Sequence, residues 1–203
     1  MKLLYLDACP RRRGLSRTLR LADAFLSECQ SIGYETEYVE LGALSLTPHT
    51  GERLELRDKL IESGDYSHPM FAHAAKLKEA DAILIAAPYW DLGFPAVLKL
   101  YFENVIVAGL TFTTDERGGF VGLCRSRRLM YVTTAGGCVN VDFGFPYVCA
   151  LTDMLGLGDC SRIAGEGLDL WENDPEAIVC SLLDGIPKAA KSWTSGQILQ
   201  LKM

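Results

Sequence analysis

The sequence predicts a doubly wound α/β fold on a parallel sheet. Strand and helix signals alternate along the chain, which implies parallel strands with helices on both faces. Ala82-Ile83-Leu84-Ile85-Ala86-Ala87 is apolar without a break, the mark of a central strand covered on both sides. Prolines stand where helices open and glycines where they close.

The elements follow in order. Lys2–Asp7 is a short apolar run ending in a turn, a buried strand. Residues 16–32 place Leu19, Ala22, Leu26 and Cys29 at helical spacing, with Phe25 and Ile32 alongside, and Gly33 ends the helix. Residues 34–41 alternate as a second strand. Residues 42–68 are polar and broken by Pro48, Gly51 and Gly64, with one helix near 52–62. Pro69 opens a helix over 69–79, and Pro95 opens another over 95–108, closed by Gly109. Residues 110–126 read as an excursion with short extended pieces. A fourth strand follows at 129–134, a helix at 145–156, and a weaker fifth strand at 161–165. Asp174 caps a last helix running from Pro175 to about Trp193, which Gly185 and Pro187 are expected to kink or break. Residues 195–203 carry no clear signal.

The chain has 203 residues, 49% of them hydrophobic, enough for one domain over 1–203 with a substantial core. Its formal charge of -6 argues against general nucleic-acid binding. Arg11, Arg12 and Arg13 form a basic island that an anion would explain. The N-terminal apolar run is too short for a signal peptide, and Asp7 interrupts it. No stretch reaches the roughly 20 apolar residues of a spanning helix, so no membrane role is expected. Seven scattered cysteines without a CxxC pair read as reduced thiols in the cytoplasm. Neither they nor His49, His68 and His73 have metal-ligand spacing, so no metal is expected.

In a doubly wound sheet, ligands sit beyond the carboxyl ends of the strands. Three loops fall there. The first, Cys9-Pro10-Arg11-Arg12-Arg13-Gly14-Leu15-Ser16-Arg17-Thr18, runs into a helix and offers hydroxyls, N–H groups and arginines to an anion. It contains neither GxGxxG nor a Walker lysine motif. The second, Pro88-Tyr89-Trp90-Asp91-Leu92-Gly93-Phe94-Pro95, puts two large aromatics at a strand end, where they line a flat ring or cover the core. The third, Thr133-Thr134-Ala135-Gly136-Gly137, lets backbone approach a ligand closely. On one sheet edge, the three together describe a mononucleotide site.

These loops resemble the flavodoxin-like NAD(P)H quinone oxidoreductases and FMN-dependent NADH-azoreductases. The segment from Pro88 through Phe94-Pro95-Ala96-Val97-Leu98-Lys99 is the most specific part. Ala108-Gly109-Leu110-Thr111-Phe112, Leu155-Gly156-Leu157 and Ala164-Gly165-Glu166-Gly167 extend the likeness over most of the chain. The resemblance implies a flavodoxin-like five-stranded sheet of order 2-1-3-4-5, FMN, and a homodimer with active sites at its interface. It implies electron transfer from NADH or NADPH through the flavin, in ping-pong fashion, to a quinone-like or azo acceptor, with no protein nucleophile. Carried over by position, Cys9, Arg11, Ser16, Arg17 and Thr18 serve the phosphate. Pro88, Tyr89, Trp90, Asp91 and Leu92 contact the ring, and Thr134, Ala135, Gly136 and Gly137 reach its far edge. Phe112, Phe120 and Phe143 are candidate walls of the acceptor pocket, with core packing the competing role.

The chain departs from the family at some positions. Cys9 stands where serine is common, and a thiol is a weaker donor. Asp91 stands where azoreductases carry asparagine. The tyrosine–histidine pair of some quinone reductases has no counterpart; Asn140, Val141, Asp142 and Phe143 occupy that region. Two other readings compete. A cysteine phosphatase needs arginine six residues after its cysteine, and that position is Leu15. A flavin-binding electron carrier or redox sensor would lack nicotinamide turnover. Against it stands the dense apolar surface of the 95–108 helix (Val97, Leu98, Tyr101, Phe102, Val105, Ile106), which suits a dimer interface or a buried helix.

Overall fold

The computed structural model describes residues 1–203. In chain order the elements are β1 (Lys2–Asp7), α1 (Arg17–Ser31), β2 (Glu35–Glu40), α2 (Gly51–Ser63), α3 (Ala72–Glu79), β3 (Ala82–Ala86) and α4 (Ala96–Val105). There follow β4 (Phe112–Thr114), β5 (Phe120–Gly122), β6 (Arg128–Thr134), α5 (Gly144–Leu155), β7 (Asp159–Gly165), α6 (Pro175–Thr194) and β8 (Gln200–Lys202). The main sheet is parallel throughout, in order β2-β1-β3-β6-β7-β8.

The first five of those strands keep the expected 2-1-3-4-5 order, but the sheet has six strands rather than five. The extra strand lies in the tail that carried no signal. Only Leu201 of its three residues is even half-buried, so no alternation marks it. Its pairing is tertiary: Arg162 N donates to Leu199 O at 2.9 Å, and Met203 N to Ala164 O at 3.1 Å. The expected excursion after α4 is the antiparallel pair β4–β5.

Period-two alternation divides the core between the two sheet faces. Leu4, Leu6, Ile83, Ile85, Leu129 and Tyr131 face α3, α4 and α5. Leu3, Tyr5, Leu84, Met130, Val132 and Ile163 face α1 and α6. Phe25 of α1 and Trp193 of α6 close the second layer edge to face, 5.2 Å apart. Each strand therefore delivers its last residue to one common edge.

The break foreseen in the last helix is absent, and the open alternative for the helix over 95–108 is decided for burial. α6 is one continuous helix through Gly185 and Pro187. Tertiary packing overrides the proline here, and Gly185 serves a close approach: a Cβ there would lie 3.0 Å from Leu201 of β8. On α4, Leu98, Tyr101, Phe102 and Val105 are buried in this chain's own core, so they offer no surface to a second copy. Only Val97 and Ile106 of that group are part-exposed.

Candidate functional site

A cavity of about 520 Å³ opens at the carboxyl edge, where the loops after β1, β3 and β6 meet. The size suits a small-molecule or cofactor site. Of the residues singled out from the sequence, Cys9, Arg11, Ser16, Arg17, Thr18, Pro88, Tyr89, Trp90, Asp91, Thr134, Ala135 and Gly136 line it. Leu92 and Gly137 flank the lining without joining it, and Phe112, Phe120 and Phe143 lie outside it. Phe112 and Phe120 pack on each other across the β4–β5 pair, 5.8 Å apart. Phe143 is exposed and hangs its backbone on the second loop, its N–H donating to Leu92 O at 2.8 Å.

The first loop is shaped by a buried carboxylate. Asp7, at the end of β1, accepts from Cys9 N at 2.9 Å and from Tyr38 Oη at 2.6 Å. Arg13 reaches Asp7 at 3.5 Å, pairs with Asp23, and lies over the Tyr38 ring at 5.0 Å. Of the basic island, Arg13 is thus engaged at the surface by Asp7, Asp23 and Tyr38 as a brace, and only Arg11 faces the cavity. Ser16 caps α1, its Oγ accepting from Leu19 N at 3.2 Å. Arg17 and Thr18, the first two helical residues, have N–H groups with no intrahelical acceptor, beside the positive end of the helix dipole.

The surroundings of Cys9 disfavour a thiolate. Burial and the neighbouring Asp7 carboxylate push its thiol up to about 12, and its Sγ points to Ala86 O at 3.6 Å. At neutral pH it stays protonated, which agrees with the wrong spacing for a cysteine phosphatase.

The second loop turns tightly. Trp90 and Gly93 exchange both backbone hydrogen bonds (Trp90 N to Gly93 O 3.2 Å, Gly93 N to Trp90 O 2.9 Å). The residues between them, Asp91 (φ 51°) and Leu92 (φ 64°), are both left-handed. Two left-handed residues in a two-residue turn normally call for asparagine and glycine. A leucine there is strained backbone at a ligand cavity. Tyr89 is fixed at both ends: its N–H donates to Thr134 O at 2.9 Å and its Oη to Val141 O at 2.7 Å.

The third loop is joined to the first by the Thr18 and Thr134 hydroxyls, 2.6 Å apart. A Cβ on Gly136 would crowd the Asp169 carboxylate, which would have to swing aside. Asp169 was missed from the sequence, along with Pro10, Leu15 and Leu168, which also line the cavity. Its ion pair with Arg17 spans the cavity wall at 2.7 Å. The available signal was its place just beyond β7, on the same sheet edge as the other loops.

Comparison with known proteins agrees with this architecture. The profile described as the flavodoxin-like fold (Flavodoxin_2) matches residues 1–182. The FMN-dependent NADH:quinone oxidoreductase 2 of Clostridium acetobutylicum is 31% identical over 201 residues, covering 95% of this chain and 99% of the relative. The FMN-dependent NADH:quinone oxidoreductase of Coprothermobacter proteolyticus is 31% identical over 202 residues, covering 95% and 99%. Among solved structures, an FMN-dependent NADH-azoreductase from Bacillus anthracis in complex with FMN superposes with a TM-score of 0.81 at 21% identity, covering 95% of this chain and 98% of that one. The chain belongs to the flavodoxin-like (Flavodoxin_2) family.

Proposed function

We propose that this chain is an FMN-dependent NADH:quinone oxidoreductase that also reduces azo compounds and works as a cytoplasmic homodimer. Its functional unit is one flavodoxin-like domain over residues 1–203. The observation that carries the reading is the convergence, on one cavity, of anion-binding groups with a pair of aromatic rings. The printed activities of the relatives support the same chemistry.

The residues present fit FMN. The Arg17 and Thr18 N–H groups, the Ser16 hydroxyl and the Arg11 guanidinium would hold the phosphate. Tyr89, Trp90 and the strained Asp91 backbone would flank the ring, with Thr134–Gly136 completing its surroundings. When bound, FMN supplies a ring that takes hydride from the nicotinamide and passes electrons to the acceptor. The protein positions the ring and excludes water from one side, while Tyr89, locked to Thr134 and Val141, keeps the second loop from drifting.

Trp90, Leu92, Val141 and Phe143 are exposed on loops joined by hydrogen bonds, an apolar rim suited to a second copy of the chain. The α4 surface first considered for that role is mostly internal. Free thiols at all seven cysteines suit a reducing compartment, and no helix is long and apolar enough to cross a membrane.

Flavin titration tests the reading. FMN binds with quenched or shifted flavin fluorescence, and riboflavin, lacking the phosphate, binds at least about tenfold more weakly. Equal binding of the two would mean that the Arg11, Ser16, Arg17 and Thr18 groups do not hold the phosphate. Binding of FMN without NADH oxidation would favour the electron carrier.

A further inference from the structure

Arg162 lies on β7, outside the cavity lining, yet two structural arms connect it to the second loop. Its Nη1 pairs with Asp142 Oδ2 at 3.0 Å, with both side chains more than three-quarters buried. Its guanidinium lies over the Phe145 ring at 4.5 Å, and its Nη2 reaches Gln200 of β8 at 3.3 Å. The other oxygen of Asp142 accepts from Gly144 N at 2.8 Å and Phe145 N at 3.1 Å, so Asp142 caps α5 while paired to Arg162.

From that corner the first arm runs through Phe143, whose N–H holds Leu92 O at 2.8 Å. Gly144 packs so closely on the turn that a Cβ would lie 3.1 Å from the Gly93 carbonyl carbon. The second arm runs through Val141, whose carbonyl holds the Tyr89 hydroxyl at 2.7 Å. The first arm ends on the strained turn at Leu92 and Gly93, and the second on Tyr89, the residue that leads into it. A turn with two left-handed non-glycine residues persists only where its surroundings over-determine it, and this corner is what it rests on.

For stability alone the arrangement is a poor choice. A mostly buried ion pair contributes little net, and apolar residues of similar volume often replace one without loss. The Arg162 Nε has no protein partner, which adds to the cost.

We infer that Arg162 and Asp142 are positioning residues: their ion pair holds the strained Asp91–Leu92 turn in the geometry that contacts the ring and shapes the acceptor side of the cavity. The consequence for the acceptor rests on the proposed function; the consequence for the loop does not.

The experiment uses the flavin-free full chain first. The double variant R162M/D142N removes the ion pair without stranding a charge, and asparagine retains an oxygen to cap α5. Amide exchange is followed by NMR at Gly93 and Phe143, whose N–H groups hold the turn, with Ile85 of β3 as internal reference. Gly93 and Phe143 exchange about tenfold faster than in the wild type and Ile85 is unchanged, while the single variant R162K, which keeps a charge opposite Asp142 but loses the stacked guanidinium fork, gives intermediate exchange. In the FMN-loaded protein, the double variant shifts the visible flavin absorption band and raises the KM for a benzoquinone several-fold. The KM for NADH stays within about twofold. Uniformly faster exchange, or a lowered Tm with an unshifted flavin band, would reduce the pair to a structural role. Unchanged exchange at Gly93 and Phe143 would overturn the inference even if the enzyme proves active. Loosened amides in a protein that binds no flavin would leave the inference standing and sink the proposed function.

Discussion

The hydroxyls of Thr18 and Thr134 meet at 2.6 Å, joining the start of α1 to the end of β6 beneath the cavity. Thr18 is only 1% exposed and Thr134 9%. Each therefore depends on the other for a partner. Replacing either with valine strands one buried hydroxyl and costs about 1–2 kcal/mol. The double variant costs less than the sum, with a coupling of about 1 kcal/mol in a denaturant-melt cycle. Additive losses would show that the pair makes no effective bond.

Asp169 competes with an anionic ligand for Arg17, since the pair spans the cavity wall. Asp169→Asn frees the guanidinium and removes a negative charge from the lining. FMN then binds about threefold to tenfold more tightly at low salt, and the gain shrinks as salt rises. Weaker binding in Asp169→Asn would mean that the carboxylate helps to hold the ligand.

Much of this site was legible in the sequence because a parallel sheet sends every strand's last residue to one edge. Twelve of the fourteen cofactor-site residues nominated from the sequence line the cavity. Other features were not legible because they depend on distant partners. β8 is a strand only because Arg162 and Ala164 pair with Leu199 and Met203. Gly185 reads as a helix breaker until Leu201 is seen to need its space. Arg13 reads as an anion ligand until Asp7 and Asp23 claim it. The apolar α4 pattern fitted an interface and a core equally well, and burial decided for the core.

Leu92 holds a left-handed backbone with a half-exposed side chain, so it sacrifices conformational ease without gaining full burial. The left-handed conformation costs a non-glycine residue about 1–2 kcal/mol, and glycine returns part of that as unfolded-chain entropy, about 0.5–1 kcal/mol. Leu92→Gly accordingly raises Tm by about 2 °C, while quinone reduction falls as the loop loosens. A lowered Tm would show that the side chain's contacts outweigh the strain.

His49 and His73 are both held below the ordinary imidazole value of 6.5, chiefly by burial, with Arg57 and Arg53 adding to it at His49 and Lys76 at His73. The unfolded chain therefore takes up these protons first. Their contribution to stability is present above about pH 6.5 and is lost as pH falls through the lower folded values. The urea midpoint drops between pH 7.5 and pH 5.5, and the double variant H49Q/H73Q flattens that drop. An unchanged slope would assign the acid sensitivity to other groups.

The Cys9 thiol, pushed up to about 12, is protonated at pH 7.5. Iodoacetamide labels the exposed Cys138 well before Cys9, as read by peptide mass. Rapid labelling at Cys9 would mean that the first loop opens readily.

On the proposed function, one cavity holds FMN and mediates electron transfer from NADH to a quinone. The most direct test of that function is the visible spectrum of the FMN-reconstituted protein under anaerobic conditions, with NADH added first and benzoquinone second. NADH is expected to bleach the bound-flavin band, and quinone to restore it. A bound flavin that NADH leaves oxidised, or a protein that retains no flavin, would contradict the proposed function.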